Sequence, residues 1–197
     1  MWDTRYSTTE YMFGTEPNTF LVEVSGRIPP GGQVLSLAEG EGRNAVYLAA
    51  RGYDVTGVDA SRVGLEKAQR LAAERSLKIT TVVADLAQFP IEPAGWDGII
   101  SIFCHLPPPL RATLHRKVVA GLRPGGVFIL EAYTPRQLTF KTGGPSHADL
   151  MPDLATLKVE LAGLRLEHAA EVERDVLEGP GHFGRGAVVQ ILGVKEA

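Results

Sequence analysis

Six residues in the first half of the chain carry the clearest chemical signal. Glu39, Gly40, Gly42 and Asn44 fall within the run VLSLAEGEGRNAVYLA, residues 34–49, and two further carboxylates, Asp59 and Asp85, follow it. Two glycines one residue apart let a backbone turn sharply and approach a ligand closely. A helix starting near Asn44 points unpaired N–H groups at the same place. Glu39, directly before the first glycine, suits a cationic ligand and repels a pyrophosphate. Asp59 lies 17 residues beyond Gly42, where a strand-end carboxylate accepts both hydroxyls of a ribose. Asp85 stands where a side chain accepts from an adenine amino group.

These positions need a scaffold, and the chain supplies one by alternation. Short apolar runs at 33–38, 54–60, 78–86, 96–103 and 125–133 read as strands. Nearly continuous apolar runs of this length mark strands buried on both faces. Helical segments fall between them, at 43–52 with Gly52 as the stop, at 62–76 capped by Ser61, and at 108–122 with proline at its start. Such alternation predicts a parallel sheet with helices on both faces, and a ligand beyond the carboxyl ends of the strands. The last third differs. A helix ending near Gly163 leads into strand-like runs at 164–176 and 186–195, joined by the Gly/Pro turn LEGPGHFGR. Two strands so joined pair antiparallel. Residues 134–151 carry no clear element, and loops of that length in compact domains often serve as lids.

Composition sets the boundaries. The 197 residues include 44% hydrophobic and 22% charged residues, with a net charge of −3. This predicts one globular domain with no nucleic-acid footprint. The single cysteine, Cys104, excludes an intrachain disulfide and fits a cytoplasmic setting. No run approaches the ~20 apolar residues of a membrane helix, and the start MWDTRYSTTEYMFG lacks a signal-peptide core. His115, His147 and His168 fall in no metal-like spacing, so no metal is assigned.

The ligand follows from the acids. A dinucleotide site places a pyrophosphate at the helix start, with glycine or alanine at the third fingerprint position, here Ala45. Close-approach glycines with one carboxylate for a positive group, one for ribose and one for adenine describe S-adenosylmethionine better than NAD.

On these pieces the chain resembles the class I S-adenosylmethionine-dependent methyltransferases, and over most of its length their small bacterial tellurite-resistance and thiopurine-methyltransferase relatives. The matching stretches are WDTRYSTTEYMFGTEPNTFL, LAEGEGRNAVYLAARGYDVTGVDAS, VVADL, WDGIISIF and LRPGG. Arg43-Asn44, where many members of the wider class carry another glycine, is similar to the tellurite-resistance relatives. The resemblance implies a single-domain Rossmann-like α/β fold over 1–197, with a seven-stranded, mostly parallel sheet ending in an antiparallel hairpin. Residues 1–30 would form a flap and helix, 31–135 the cofactor core, and 136–197 the substrate-side loop, helix and hairpin. It implies flap roles for Arg5, Tyr11 and Gly14, with Arg5 pairing the cofactor carboxylate. The expected cofactor wall is Arg5, Tyr11, Glu39, Gly40, Gly42, Asn44, Asp59, Ala60, Ser61, Asp85, Leu86 and Phe103.

The acceptor side is read from the strand ends. His105, in FCHLPPPLR after the fourth strand, is a base or an orienting group, and Tyr133 is the next candidate. Arg174, His182 and Arg185 form a basic cluster in or beside the hairpin turn, suited to an anionic acceptor. Sparse acid–base groups favour a small soft or already ionised nucleophile: a thiol, or a tellurite- or selenite-like oxyanion. S-adenosylhomocysteine would be the product. Two other readings stand beside this one: a non-catalytic S-adenosylmethionine-binding module, and an NAD-dependent oxidoreductase, which lacks here the Tyr-x-x-x-Lys pair it would use. The sequence does not set the oligomeric state.

Overall fold

A computed structural model describes residues 2–196; Met1 and Ala197, the ends of the expected 1–197 domain, lie outside the described residues. Seven strands form one sheet in the order β3-β2-β1-β4-β5-β7-β6. They are β1 Gln33–Leu37, β2 Asp54–Asp59, β3 Thr80–Val83, β4 Trp96–Ile102, β5 Leu122–Tyr133, β6 Leu164–Leu177 and β7 Phe183–Lys195. The first five run parallel, while β7 is antiparallel to both β5 and β6. The helices are α1 Trp2–Tyr6, α2 Thr19–Val24, α3 Arg43–Ala50, α4 Arg62–Glu74, α5 Pro108–Gly121 and α6 Leu154–Glu160. The expected single-domain α/β fold is the one found.

Two apolar layers hold the helices to the sheet. On one face Phe20, Val46, Leu48, Ala68 and Leu71 pack against Val34, Ile100 and Ile129. On the other, Leu114, Val118, Leu157 and Leu161 pack against Leu35, Ile99 and Phe128. Ile99 and Ile100, neighbours on β4, point to opposite layers, as strand alternation requires. Among the described residues no helix is long and apolar enough to cross a membrane.

The strand order places the site. Chain progression reverses between β1 and β4, which are neighbours in the sheet, so a crevice opens beyond their carboxyl ends. Leu37 lies level with Val58 of β2 and Ser101 of β4. The residues that follow, Glu39, Asp59 and Phe103, therefore leave the sheet on one edge. Both strands at the crevice are followed by left-handed non-glycine residues, Ala38 at φ 52° and Phe103 at φ 52°. Such backbone is costly and clusters at functional sites.

Some boundaries differ from the sequence expectation. The third strand is not 78–86 but Thr80–Val83, because its last rung pairs Asp59 with Val83 and the Asp85 side chain then accepts from the Ala87 amide at 2.9 Å, turning the chain. The fifth strand begins at Leu122 rather than 125; a register shift between Trp96 and Gly98 absorbs the Gly-Gly of LRPGG. The hairpin is longer than read, with β7 starting at Phe183. The 134–151 stretch carries 3-10 turns at Pro135–Thr139 and Ala148–Leu150.

Candidate functional site

A cavity of about 820 Å³ opens beyond the carboxyl ends of β1, β2 and β4, near the upper end of the ~300–1,000 Å³ of ligand pockets. Its wall takes in Arg5, Glu39, Gly40, Asn44, Asp59, Ala60, Asp85, Leu86, Phe103, His105 and His182 from the predicted set.

The glycine turn is tied to the next strand end. The Gly40 amide donates to Asp59 Oδ2 at 2.9 Å, and the Ser61 amide to Oδ1 at 2.7 Å. Burial still leaves the Asp59 carboxyl above its ordinary range. Glu39 is buried at 7% exposure. Its Oε1 accepts from the Ala45 amide at 3.0 Å and its Oε2 from the Ser36 hydroxyl. Burial nonetheless pushes its pKa up to about 7. Gly40 is forced by its surroundings: at φ 64° a Cβ would meet the Tyr6 hydroxyl at 2.9 Å. At Gly42, φ 99°, a Cβ would lie 2.5 Å from the Ala68 Cα of α4.

Three predicted cofactor residues lie outside the wall. Gly42 shapes the turn from behind. Ser61 caps α4, accepting from the Gly64 amide at 3.1 Å and donating to Asp3. Tyr11 donates its hydroxyl to the Lys67 carbonyl at 3.2 Å. Asn44 reaches the wall, and its Oδ1 accepts from the Asn18 amide at 3.0 Å.

At the other end the cavity is aromatic, and the charge of Arg43 on its wall is paired with Glu178. Phe103 stands 4.5 Å from His182 and 4.7 Å from Tyr133, ring centre to centre, and Phe13 stands 4.5 Å from His182. His105 has a fixed role: its Nε2 accepts from the Tyr133 amide at 3.1 Å. That lone pair is occupied, and burial lowers the imidazole to about 4. As placed, the Nε2 lone pair of His105 is not free to take a proton. His182, 7% exposed, is lowered to about 3 by burial, and its Nδ1 has no hydrogen-bond partner among the described residues. Tyr133 is fully buried behind these rings and its ring does not reach the wall; burial raises its hydroxyl far from any base role.

The expected basic cluster does not form. Arg174 turns inward to Glu131 and to Glu178 at 2.6 Å. Glu178 also pairs with Arg43 at 2.5 Å, and Glu131 accepts from Asn18 and Gln190. Two guanidiniums thus face two carboxylates and balance their charge, while Arg43, one of the two, also reaches the cavity wall. Arg185 is half-exposed, outside the cavity wall, and 3.8 Å from Glu173. Of the three, His182 alone faces the cavity, and it is neutral.

Sequence reasoning did not find the wall residues Glu41, Arg43, Gly143, Gly144 and Leu150 individually. Glu41 had a readable signal, an acid between two glycines. The last three belong to the 134–151 loop expected to act as a lid.

A family model described as a methyltransferase domain matches residues 34–126. The chain is 33% identical over 130 residues to the 2-heptyl-1-hydroxyquinolin-4(1H)-one methyltransferase of Mycobacteroides abscessus, covering 62% of this chain and 55% of that protein. It thus spans about half the length of that curated relative. A solved structure from a study of the conversion of a disulfide bond into a thioacetal group during echinomycin biosynthesis superimposes with a TM-score of 0.81 at 18% identity, covering 99% of this chain and 90% of the other. TehB from Haemophilus influenzae superimposes at 0.75 with 20% identity, covering 99% of this chain and 66% of that one. At such identities the likeness is one of fold, and the fold is the Rossmann-like methyltransferase fold.

Proposed function

We propose that this chain, whose residues 34–126 match a methyltransferase domain, transfers a methyl group from S-adenosylmethionine to a small-molecule acceptor. The carrying observation is the convergence of the glycine turn, Glu39, Asp59 and Asp85 on one cavity from the ends of β1, β2 and β3. The residues fit the cofactor's parts. Asp59 would take the ribose hydroxyls, Asp85 the adenine amino group, and Arg5 the methionyl carboxylate, while the acidic wall suits a sulfonium. When bound, the cofactor supplies the reactive methyl. The protein supplies position and exclusion of water.

The acceptor we propose is a soft, weakly acidic organic nucleophile such as a thiol, which gives up its proton to solvent as its sulfur takes the methyl and the cofactor leaves as S-adenosylhomocysteine. The paired arginines remove the support for an oxyanion. The named hydroxyquinolinone methyltransferase supports an organic acceptor. The expected division into flap, cofactor core and substrate-side region is part of this reading, as is a cytoplasmic setting.

Melting shifts with S-adenosylmethionine, S-adenosylhomocysteine and NAD, each alone, test the cofactor. A screen for labelled methyl transfer then separates enzyme from binding module. Stabilisation by NAD alone would overturn the reading.

A further inference from the structure

Lys67 lies on α4, outside the cavity wall, and its side chain is 1% exposed. Its ammonium pairs with Glu41 Oε1 at 2.5 Å. It also donates to three successive alternate carbonyls of the N-terminal segment: Tyr6 at 3.4 Å, Thr8 at 3.1 Å and Glu10 at 2.6 Å. The Tyr11 ring lies 4.9 Å from it. Glu41, the residue between the two glycines of the turn, accepts from the Phe13 amide through its other oxygen at 3.3 Å. One buried ion pair therefore grips the segment from residue 6 to residue 13.

That segment roofs the cavity. Tyr6, Met12, Phe13 and Gly14 are in its wall. The Met12 carbonyl accepts from the Gly181 amide at 2.8 Å, which joins the roof to the hairpin turn on the acceptor side. The stretch between the anchors, Ser7-Thr8-Thr9-Glu10, is exposed and polar. It has little apolar contact of its own, so its ordering rests on the ammonium. Segments with few buried contacts open locally at low cost.

We propose that Lys67 and Glu41 form a latch that holds this strap closed, making Lys67 a positioning residue for cofactor binding although it does not face the cavity. The inference rests on the reading that the cavity takes S-adenosylmethionine. Cofactor enters and leaves when the strap lifts, and the latch sets how long it stays. Lys67 joins the carbonyls of the strap to the turn, so loss of the ammonium frees one from the other, and loss of the Glu41 charge leaves a buried ammonium without its counter-charge.

The test uses the full chain with S-adenosylhomocysteine as probe. Lys67→Met and Glu41→Gln should each weaken binding at least tenfold, mainly through faster dissociation. The double variant should cost no more than the worse single one, as expected for members of one pair. Lys67→Arg should recover part of the loss. Hydrogen exchange of residues 6–13 should quicken in the first two variants with or without probe. Variants that melt cooperatively, bind with wild-type affinity and dissociation rate, and leave that exchange unchanged would overturn the latch. A lowered melting temperature with unchanged dissociation would reduce the pair to a structural role and overturn it too. If Lys67→Met does not fold, Glu41→Gln, which keeps the side-chain volume, decides alone. If the wild type binds no probe, the proposed function fails, and the exchange of residues 6–13 still decides the latch.

Discussion

The backbone amide of Tyr133 donates to Nε2 of His105 at 3.1 Å, across the end of the sheet where β4 and β5 stop. The bond leaves Nδ1 as the protonated nitrogen of a neutral ring. A base at Nε2 would have to break it first.

The rate should therefore show no ionisation from His105. Its pKa is held near 4 by burial, below the range in which a base is useful. His105→Asn, which retains a polar side chain, should keep kcat within about tenfold. A limb in the pH–rate profile near 6.5 that vanishes in this variant would disprove the assignment.

Acid stability should show opposed contributions. His105 and His182 have folded pKa values of about 4 and about 3, below the ordinary ~6.5. The unfolded chain then binds more protons, so their contribution is full above pH 6.5 and is lost as pH falls toward the folded values. Glu39, raised to about 7, acts in reverse: its contribution is full below the ordinary carboxyl range and is lost as pH rises through 7. Each is of the order of 2 kcal/mol between pH 7 and 5. Denaturant melts across that range should show His182→Phe flattening the loss on acidification and Glu39→Gln steepening it. Parallel curves for wild type and both variants would refute this account.

Asp59→Ala should remove cofactor binding while leaving the sheet intact. The carboxylate anchors the amides of Gly40 and Ser61, and in the proposed reading it also takes the ribose hydroxyls. Two charge-assisted bonds amount to ~3 kcal/mol, more than a hundredfold in affinity. Calorimetry with S-adenosylhomocysteine gives the answer, and wild-type affinity in the variant would remove this residue from the site.

Arg174→Met should act on stability rather than on acceptor choice. It leaves Glu131, fully buried, without its guanidinium. Breaking such a pair costs ~3–5 kcal/mol, readable as a shift of the urea midpoint. A variant of unchanged stability but raised KM for an anionic acceptor would restore the arginine to the substrate side.

The parts legible in the sequence were those set by local pattern. The apolar runs gave the central strands, and Asp59 was placed at a strand end by its distance from Gly42. The network around Glu131 was not legible, because its members Asn18, Arg43, Glu131, Arg174, Glu178 and Gln190 come from five distant segments and meet only after the sheet forms. Arg174 looked available to a ligand because composition does not reveal a buried partner. Lys67 had a signal that went unread: it shares the spacing of Gly64, Ala68, Leu71 and Ala72, all buried on one face of α4. A lysine on an apolar face must find a counter-charge, and Glu41 is that charge.

Helix α4 touches the site at three heights. Ser61 at its start follows the Asp59 carboxylate, Lys67 in its second turn grips the strap, and Ala68 leaves room for nothing larger than hydrogen at Gly42. A small slide or roll of this one helix would shift the Asp59 carboxylate, the roof and the turn together. Variation in affinity among descendants of this sequence can therefore arise at positions 67 and 68, whose side chains a map of wall residues would leave out. A combinatorial library aimed at altering the donor would gain more by including these two positions than by saturating the visible wall.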